Sequence, residues 1–211
     1  MKKENHVVWH NGRISRQDRC RLNRHLSGVL WFTGLPGSGK STLAHELEKE
    51  LFERGSRAYV LDGDNIRHGL NADLGFNRED RRENLRRVVE VSKLFADAGI
   101  IVISALISPF IEDREYARAK LHHDAFYEIY IKCAVEECMQ RNSKGHYEKA
   151  RQGLIKDYTG ISAPYEVPPN PDLIIDTQAL TLEMSTQKIL SFLKRKGFLK
   201  QQISHAPVSG S

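Results

Sequence analysis

The sequence predicts an α/β fold in which a mostly parallel, five-stranded sheet is covered by helices on both faces. Five short apolar runs alternate with segments of helical periodicity, which is the pattern of strands joined by crossover helices. The 211 residues suit a single domain with short appendages. No stretch approaches the roughly 20 apolar residues that a membrane helix needs, so no membrane association is expected.

The predicted strands are the apolar runs at residues 28–33, 57–61, 100–105, 127–132 and 172–176. Helices are predicted between them, from residue 40 to Gly55, then at about 79–98, at 135–141, and at 181–197. The first helix rests on Leu43, Leu47 and Leu51, which recur every four residues and so share one face.

Charge and cysteine content restrict the function only broadly. The formal net charge is +5 and the isoelectric point is about 9.1, which suits an anionic partner. This charge does not distinguish a nucleic-acid partner from a site that holds ATP and a second small anion. Three cysteines without a framework spacing argue against a disulfide scaffold. Residues 1–10 lack the apolar core of a signal peptide, so a cytoplasmic location is expected.

The strongest motif follows the first predicted strand. It reads Gly34-Leu35-Pro36-Gly37-Ser38-Gly39-Lys40-Ser41, which has the form GxxxxGKS, and Thr42 comes next. In such a phosphate-binding loop, or P-loop, the glycines let backbone N–H groups turn towards phosphate oxygens. Lys40 is expected to reach the β- and γ-phosphates of ATP, and the Ser41 hydroxyl to hold Mg²⁺. The position between strand and helix argues against a glycine-rich turn without function.

Polar residues end the second and third predicted strands, where the ligand crevice of an open α/β sheet lies. Asp62 and Asp64 are candidates for binding Mg²⁺ or for accepting a proton from an acceptor hydroxyl. An ordinary Asp-Gly turn stays open as the alternative. Ser108 follows the third strand, where a serine can bind substrate, bind solvent or carry a phosphoryl group, and the sequence does not separate these roles.

Six arginines form the densest cationic stretch, and guanidinium groups match phosphate and sulfate oxygens. They are Arg67, Arg78, Arg81, Arg82, Arg86 and Arg87. A solvated helix face is the alternative for Arg82, Arg86 and Arg87, whereas the arginines near the helix start are better placed to face the crevice.

Over about residues 28–177 the chain resembles the adenosine 5′-phosphosulfate kinase family, because a series of its segments matches the family in order. The matching segments are residues 35–42, 61–70, 73–76, 80–87, 107–109, 144–145, 149–151, 158–161 and 164–166. The resemblance implies a P-loop nucleoside-triphosphate hydrolase-type fold of three layers. The composition along the chain divides it into a polar, basic N-terminal extension (1–27), a kinase domain (28–200) with an insert (142–171), and a disordered tail (201–211). The resemblance identifies the insert as a lid.

The resemblance also implies roles for individual residues. Phe76 would stack on the acceptor adenine with Tyr158 on the opposite face, and Lys144 would lie in the lid. Arg141 is assigned to the ATP site, together with the P-loop residues 34–42. The residues expected to bind the acceptor are Asp64, Asn65, Arg67, Phe76, Arg81, Asn84, Ile107, Ser108, Lys144 and Tyr158. The expected catalytic residues are Lys40, Asp62, Asp64 and Ser108, with Ser41 and Asp62 on the metal.

The expected reaction transfers the γ-phosphate of ATP to the 3′-hydroxyl of adenosine 5′-phosphosulfate and uses Mg²⁺. The protein is expected to form a homodimer, and no nucleic-acid partner is expected. A family serine matching Ser108 has been described as a phosphoserine intermediate, but direct in-line transfer needs no such step. Two alternatives stay open. One is a kinase of this fold that phosphorylates a small hydroxy acid or sugar acid. The other is a nucleic-acid-binding or nucleotide-switch module, which the basic isoelectric point suggests, although no recognisable nucleic-acid-binding motif is present.

Overall fold

A computed structural model describes residues 7–8, 10, 12–121, 125–141 and 145–199 of the chain. Its sheet has five strands, all parallel. They are β1 (Gly28–Thr33), β2 (Ala58–Asp62), β3 (Ile101–Ala105), β4 (Phe126–Lys132) and β5 (Leu173–Asp176). The helices are α1 (Arg16–Asn23), α2 (Lys40–Glu53), α3 (Arg78–Asp97), α4 (Ile111–Lys120), α5 (Val135–Gln140), α6 (His146–Arg151) and α7 (Leu182–Arg195).

Helices cover both faces of the sheet, which confirms the three-layer prediction. Every residue of β1 is buried, so alternate side chains enter two separate cores. Leu30 and Phe32 pack in one core with side chains of α2 and α7. Val29 and Trp31 pack in the other with side chains of α3 and α4. A strand buried on both faces reads as a continuous apolar run, which is why β1 was recognisable from sequence.

The strand order β2-β3-β1-β4-β5 places β1 at the centre of the sheet. The chain passes from β1 to one side for β2 and β3, and then to the other side for β4 and β5. Ligands of such sheets bind beyond the carboxyl ends of the strands, where the order reverses. The loop after β1 therefore starts at the switch point of the sheet.

Four elements were not predicted: the helices α1, α4 and α6, and a short 3₁₀ turn at Asn65–His68. Helix α1 lies in the predicted N-terminal extension and begins with a capping box between Ser15 and Asp18. It is tied to the end of α3 by an Arg19–Asp97 ion pair of 2.9 Å. Helix α6 lies in the predicted lid insert. The predicted tail, 201–211, lies outside the described residues.

None of the helices in the described part of the chain has the length and apolar character that crossing a membrane requires.

Candidate active site

The loop between β1 and α2 is closed in by the backbone of β4 and α5. At Gly37 the backbone has a φ of +79°, and a Cβ there would lie 2.6 Å from the carbonyl oxygen of Cys138. At Gly34 a Cβ would lie 2.5 Å from the carbonyl oxygen of Ile131. Both positions therefore require glycine. At Gly37 the reasons are the positive φ and the close contact, and at Gly34 the reason is the close contact.

Lys40 is the first residue of α2, and its ammonium group is buried in the loop. Its Nζ donates to the carbonyl oxygens of Gly34 (2.9 Å) and Leu35 (2.7 Å). Burial lowers the pKa of Lys40 to about 8, although the Asp62 and Asp64 carboxylates oppose the shift. The N-cap of α2 is a glycine, so no side chain caps its first N–H groups and they can bind an anion.

Two cavities meet at Ser41. The first, called here the P-loop cavity, measures about 430 Å³ and is lined by Gly37, Gly39, Lys40, Ser41, Thr42, Leu43, Arg141, Thr177, Leu180, Leu182 and Ser185. The second, called here the Asp62 cavity, measures about 510 Å³ and is lined by Ser41, His45, Asp62, Asp64, Asn65, Arg67, His68 and Phe76. Each is large enough for a nucleotide-sized ligand.

Arg141 lies on the P-loop cavity and is oriented by Thr177. The guanidinium donates to the Thr177 hydroxyl (3.1 Å) and to its carbonyl oxygen (3.0 Å). The same hydroxyl donates to the carbonyl oxygen of Ser38 at 3.0 Å, so the loop and Arg141 share one anchor. Sequence reasoning missed Thr177, although its place directly after β5, at the carboxyl edge of the sheet, is a usable signal.

Asp62 offers a carboxylate oxygen that has no partner among the described residues. Its side chain is buried, and its Oδ1 accepts from the backbone N–H groups of Asp64 (3.0 Å) and Asn65 (3.3 Å). Its Oδ2 is buried without a hydrogen bond. Ser41 lines the same cavity, so a hydroxyl and a carboxylate oxygen are both present, and these are ligands that Mg²⁺ prefers.

Two protein oxygen ligands, from Ser41 and Asp62, suit Mg²⁺ better than a metal ion whose ligands all come from the protein. In the described ranges no group of three or more His, Cys, Asp or Glu side chains could hold a metal ion. Mg²⁺ commonly takes one or two protein ligands and completes its shell with water and phosphate oxygens. Ser41 and Asp62 therefore fit the predicted ion. His45, which sequence reasoning missed, lines this cavity one helical turn after Ser41.

Phe76 and Arg67 form one wall of the Asp62 cavity. The Phe76 side chain is 64% exposed, and the Arg67 guanidinium lies 4.4 Å from the centre of its ring. Arg67 also donates to the carbonyl oxygens of Leu74 (3.1 Å) and Gly75 (2.9 Å). Burial, with the positive charge of Arg81, lowers the pKa of Arg67. Arg67 thus lines the Asp62 cavity and also supports the chain that presents Phe76.

Arg81 joins the segments that carry the two predicted stacking aromatics. Its guanidinium donates to the carbonyl oxygens of Phe76 (2.6 Å) and Asp157 (2.7 Å), and to the hydroxyl of Thr159 (3.2 Å). Tyr158 follows Asp157 directly, so the structure brings its segment against that of Phe76.

Tyr158 and Asn84 lie among side chains that sequence reasoning did not assign. The ring of Tyr158 packs edge to face on Tyr147, with centroids 5.0 Å apart. Burial raises the pKa of Tyr158 to about 12, so its hydroxyl stays protonated at neutral pH. Asn84 is buried in α3, and its Oδ1 accepts from the Asn71 side chain at 2.9 Å.

Ile107 and Ser108 lie in the loop after β3 but are not among the described residues that line the Asp62 cavity. Ser108 is buried and has a φ of +39°. Its hydroxyl accepts from the Trp31 indole at 3.1 Å, and the carbonyl oxygen of Ile107 accepts from the Thr33 hydroxyl at 2.8 Å. These contacts anchor the loop, and a catalytic role for Ser108 stays a prediction. Lys144 lies outside the described residues.

Comparisons with known proteins identify the family and agree with the fold. The family model described as adenylylsulphate kinase matches residues 26–176. The adenylyl-sulfate kinase of Staphylococcus epidermidis is 52% identical over 94% of this chain and 100% of its own length. The structure of the Mycobacterium tuberculosis APS kinase in complex with AMPPNP and APS is 46% identical, with a TM-score of 0.77, over 81% of this chain and 99% of that one.

A more distant structure has the same fold. The hexameric APS kinase of Thiobacillus denitrificans is 31% identical, with a TM-score of 0.64, over 87% of this chain and 32% of that one. The family match runs from two residues before β1 to the last residue of β5 and so takes in the whole sheet. The chain belongs to the adenylylsulphate kinase family.

Proposed function

We propose that this chain is an adenylyl-sulfate kinase. It transfers the γ-phosphate of ATP to the 3′-hydroxyl of adenosine 5′-phosphosulfate, giving ADP and 3′-phosphoadenosine 5′-phosphosulfate for sulfate assimilation. The observation that carries the proposal is the meeting of two nucleotide-sized cavities at Ser41, one beside the P-loop and the other beside Asp62. The family membership and the APS-bound relative support it.

ATP is proposed to occupy the P-loop cavity. Its phosphates would meet the N-terminus of α2, whose helix dipole and N–H groups favour anions. Lys40 would exchange its bonds to two carbonyl oxygens for bonds to the β- and γ-phosphates. Arg141, held by Thr177, offers a flat cationic face to the base.

The acceptor is proposed to occupy the Asp62 cavity. Phe76, exposed at the wall of this cavity, would stack on its adenine, with Tyr158 opposite. Arg67, Arg81 and Asn84 would hold the phosphosulfate end and the nucleotide. Transfer is then mainly a matter of aligning the 3′-hydroxyl with the γ-phosphorus and neutralising charge. Asp62 is the best candidate for orienting the hydroxyl or the metal, with Asp64 next to it.

Ser41 and Asp62 are proposed to hold Mg²⁺. When bound, Mg²⁺ neutralises charge on the oxygens of the β- and γ-phosphates. Asp62 is suited to this role because its Oδ1 is held by two backbone N–H groups, which leaves Oδ2 for the ion.

The chain is also proposed to work as a homodimer in the cytoplasm. The Thiobacillus denitrificans relative is described as hexameric, so the assembly of this chain has to be measured. Light scattering of the purified protein decides the point, since a mass of twice 24.1 kDa is expected for the dimer.

A coupled ADP-release assay with Mg·ATP tests the reaction. ADP is expected to form only when adenosine 5′-phosphosulfate is added, and the Lys40→Ala variant should lose at least about 100-fold in rate. Lys49→Ala is the matched control, because Lys49 is an exposed lysine of the same helix that pairs with Glu46 and lines neither cavity. ADP formation that is independent of the acceptor, or that requires a sugar acid instead, would contradict the proposal.

A further inference from the structure

Arg114 is a buried arginine whose three nitrogen atoms bind three different parts of the chain. It lies in α4 and is 2% exposed. Its Nε donates to the carboxylate of Glu128 (2.7 Å), its Nη1 to the carbonyl oxygen of Ser108 (2.7 Å), and its Nη2 to the carbonyl oxygen of Glu166 (2.7 Å). Glu128 belongs to the buried strand β4, so the carboxylate fixes the guanidinium against the sheet and leaves the other two nitrogens for two loops.

Those loops are residues 107–110, called here the acceptor loop, and residues 164–167, called here the Tyr165 segment. They also contact each other directly. The backbone N–H of Glu166 donates to the carbonyl oxygen of Pro109 at 2.8 Å. The carboxylate of Glu166 accepts from the N–H of Ile111 at 2.7 Å. Phe110, the N-cap residue of α4, makes no side-chain hydrogen bond to the first turn of the helix. The Glu166 carboxylate, 55 residues later in the chain, caps the N–H of Ile111 instead.

A further link runs through the sheet. The Thr33 hydroxyl, at the end of β1, lies 3.0 Å from the Tyr165 hydroxyl and donates to the carbonyl oxygen of Ile107. Ser108 holds a left-handed backbone conformation with a φ of +39°. For a residue with a Cβ this conformation costs roughly 1–3 kcal/mol and persists only where its surroundings impose it. The bond from Arg114 to the Ser108 carbonyl oxygen is one of the contacts that impose it.

We propose that Arg114 is a positioning residue that locks the acceptor loop to the Tyr165 segment, and that this lock shapes the site of the acceptor nucleotide. The proposal rests on the function given above, in which Ile107 and Ser108 are assigned to the acceptor, and Arg114 bonds Ser108 directly. Arg114 acts only through these segments. Neither segment is among the described residues that line either cavity. The effect is expected on the acceptor because Ile107 and Ser108 are assigned to it, whereas no residue of either segment is assigned to ATP.

The Arg114→Lys variant tests the lock. A lysine keeps a positive charge beside Glu128, but its single ammonium group cannot reproduce the fixed fork of a guanidinium. The Michaelis constant for the acceptor is expected to rise about tenfold and that for ATP to stay within about twofold. Glu166→Ala, at an exposed position, is a second variant that should shift the acceptor constant in the same direction by a smaller factor.

Arg118→Lys is the matched control. Arg118 lies one turn later in α4 and binds Glu128 (3.5 Å) and Asp172 (2.8 Å), and among the described residues it bonds to neither loop. This variant is expected to lower the thermal midpoint while both Michaelis constants stay unchanged. If Arg114→Lys behaves in the same way, Arg114 is only a structural residue and the proposal is overturned.

Hydrogen exchange measured by mass spectrometry gives a readout that does not depend on activity. Arg114→Lys should speed exchange in residues 107–111 and 164–167 together, and leave α2 unchanged, whereas Arg118→Lys should speed neither. Unchanged exchange in both segments would overturn the proposal even with an active enzyme. Failure of the wild type to use adenosine 5′-phosphosulfate would instead count against the proposed function, and exchange would still decide whether Arg114 joins the two segments.

Discussion

The P-loop cavity and the Asp62 cavity are adjacent but are built in different ways. Around the P-loop, side chains bind the backbone of the loop: Tyr147 donates to the carbonyl oxygen of Pro36 (2.8 Å) and Thr177 to that of Ser38 (3.0 Å). In the Asp62 cavity, Phe76 is mostly exposed, and the buried Oδ2 of Asp62 receives no hydrogen bond from the described residues. The P-loop cavity therefore depends on how the backbone of its loop is held in place. The Asp62 cavity depends on individual side chains that face the ligand.

This difference predicts which substitutions separate function from stability. In the Asp62 cavity, a change should affect one step of the reaction and leave the fold intact. In the P-loop, a change should affect the backbone and nucleotide binding together. Substitutions in the two cavities, and a change of pH, are therefore expected to differ in both the size and the kind of their effects.

Asp62→Asn should lower kcat by about 100- to 1000-fold, because it removes charge where phosphate and metal charge must be balanced. The thermal midpoint should not fall, since an amide oxygen can still accept from the N–H groups of Asp64 and Asn65. Steady-state kinetics over a range of Mg²⁺ concentrations measures the effect, and the half-saturating concentration should rise. Asp97→Asn, at an exposed carboxylate paired with Arg19, is the control with unchanged kcat.

Gly37→Ala should weaken ATP binding by about 100-fold, because the new methyl group meets the Cys138 carbonyl oxygen and the φ is unfavourable. Stability should fall as well. Gly55→Ala is the matched control, since its φ is +72° but nothing lies within 4 Å of its Cβ. Calorimetry of ATP binding and thermal melting separate the two variants, and equal effects would mean that strain alone is responsible.

Phe76→Ala should raise the Michaelis constant for the acceptor by about tenfold, in line with the roughly 1–3 kcal/mol of a stacked base. ATP binding and stability should change little, because the side chain is 64% exposed. Phe52→Ala, at an aromatic residue that is 79% exposed and lines neither cavity, controls for loss of a surface ring. An unchanged acceptor constant would make the stacking assignment wrong.

ATP binding should take up protons above about pH 8, through Lys40. Burial holds the pKa of the free lysine near 8, and bound phosphates favour the ammonium form and so raise it. Affinity should therefore fall as pH rises, by about fourfold between pH 7 and pH 8.5. Calorimetry in buffers of different ionisation enthalpy measures the uptake, which should be absent in Lys40→Ala.

The sheet was predictable because its strands are short, mostly apolar runs, and α2 and α3 because their apolar residues recur at helical spacing. Helix α4 lacks that signal, since its buried residues are Arg114 and Ala117. Helix α1 has no buried residue at all and is held by its cap and by polar contacts. These helices depend on tertiary partners that no local pattern reveals.

The site divides in the same way. Local motifs predicted the P-loop, Asp62 and Asp64 because each stands directly after a strand. The side chains that support the P-loop come from far along the chain: Thr177 lies 139 residues beyond Ser38, and Tyr147 lies 111 beyond Pro36. Arg67 and Arg81 were predicted to face substrate, but their bonds to backbone oxygens could not be predicted without the fold.

The close fit of the P-loop against Ile131 and Cys138 has a consequence for protein synthesis. The loop is made early, yet its walls belong to β4 and α5, which leave the ribosome about a hundred residues later. Until then β1 has no neighbour on that side, and pairings so distant in sequence form slowly. We therefore expect ATP to have no binding site on the growing chain until most of it has emerged, and so to assist only the last stage of folding.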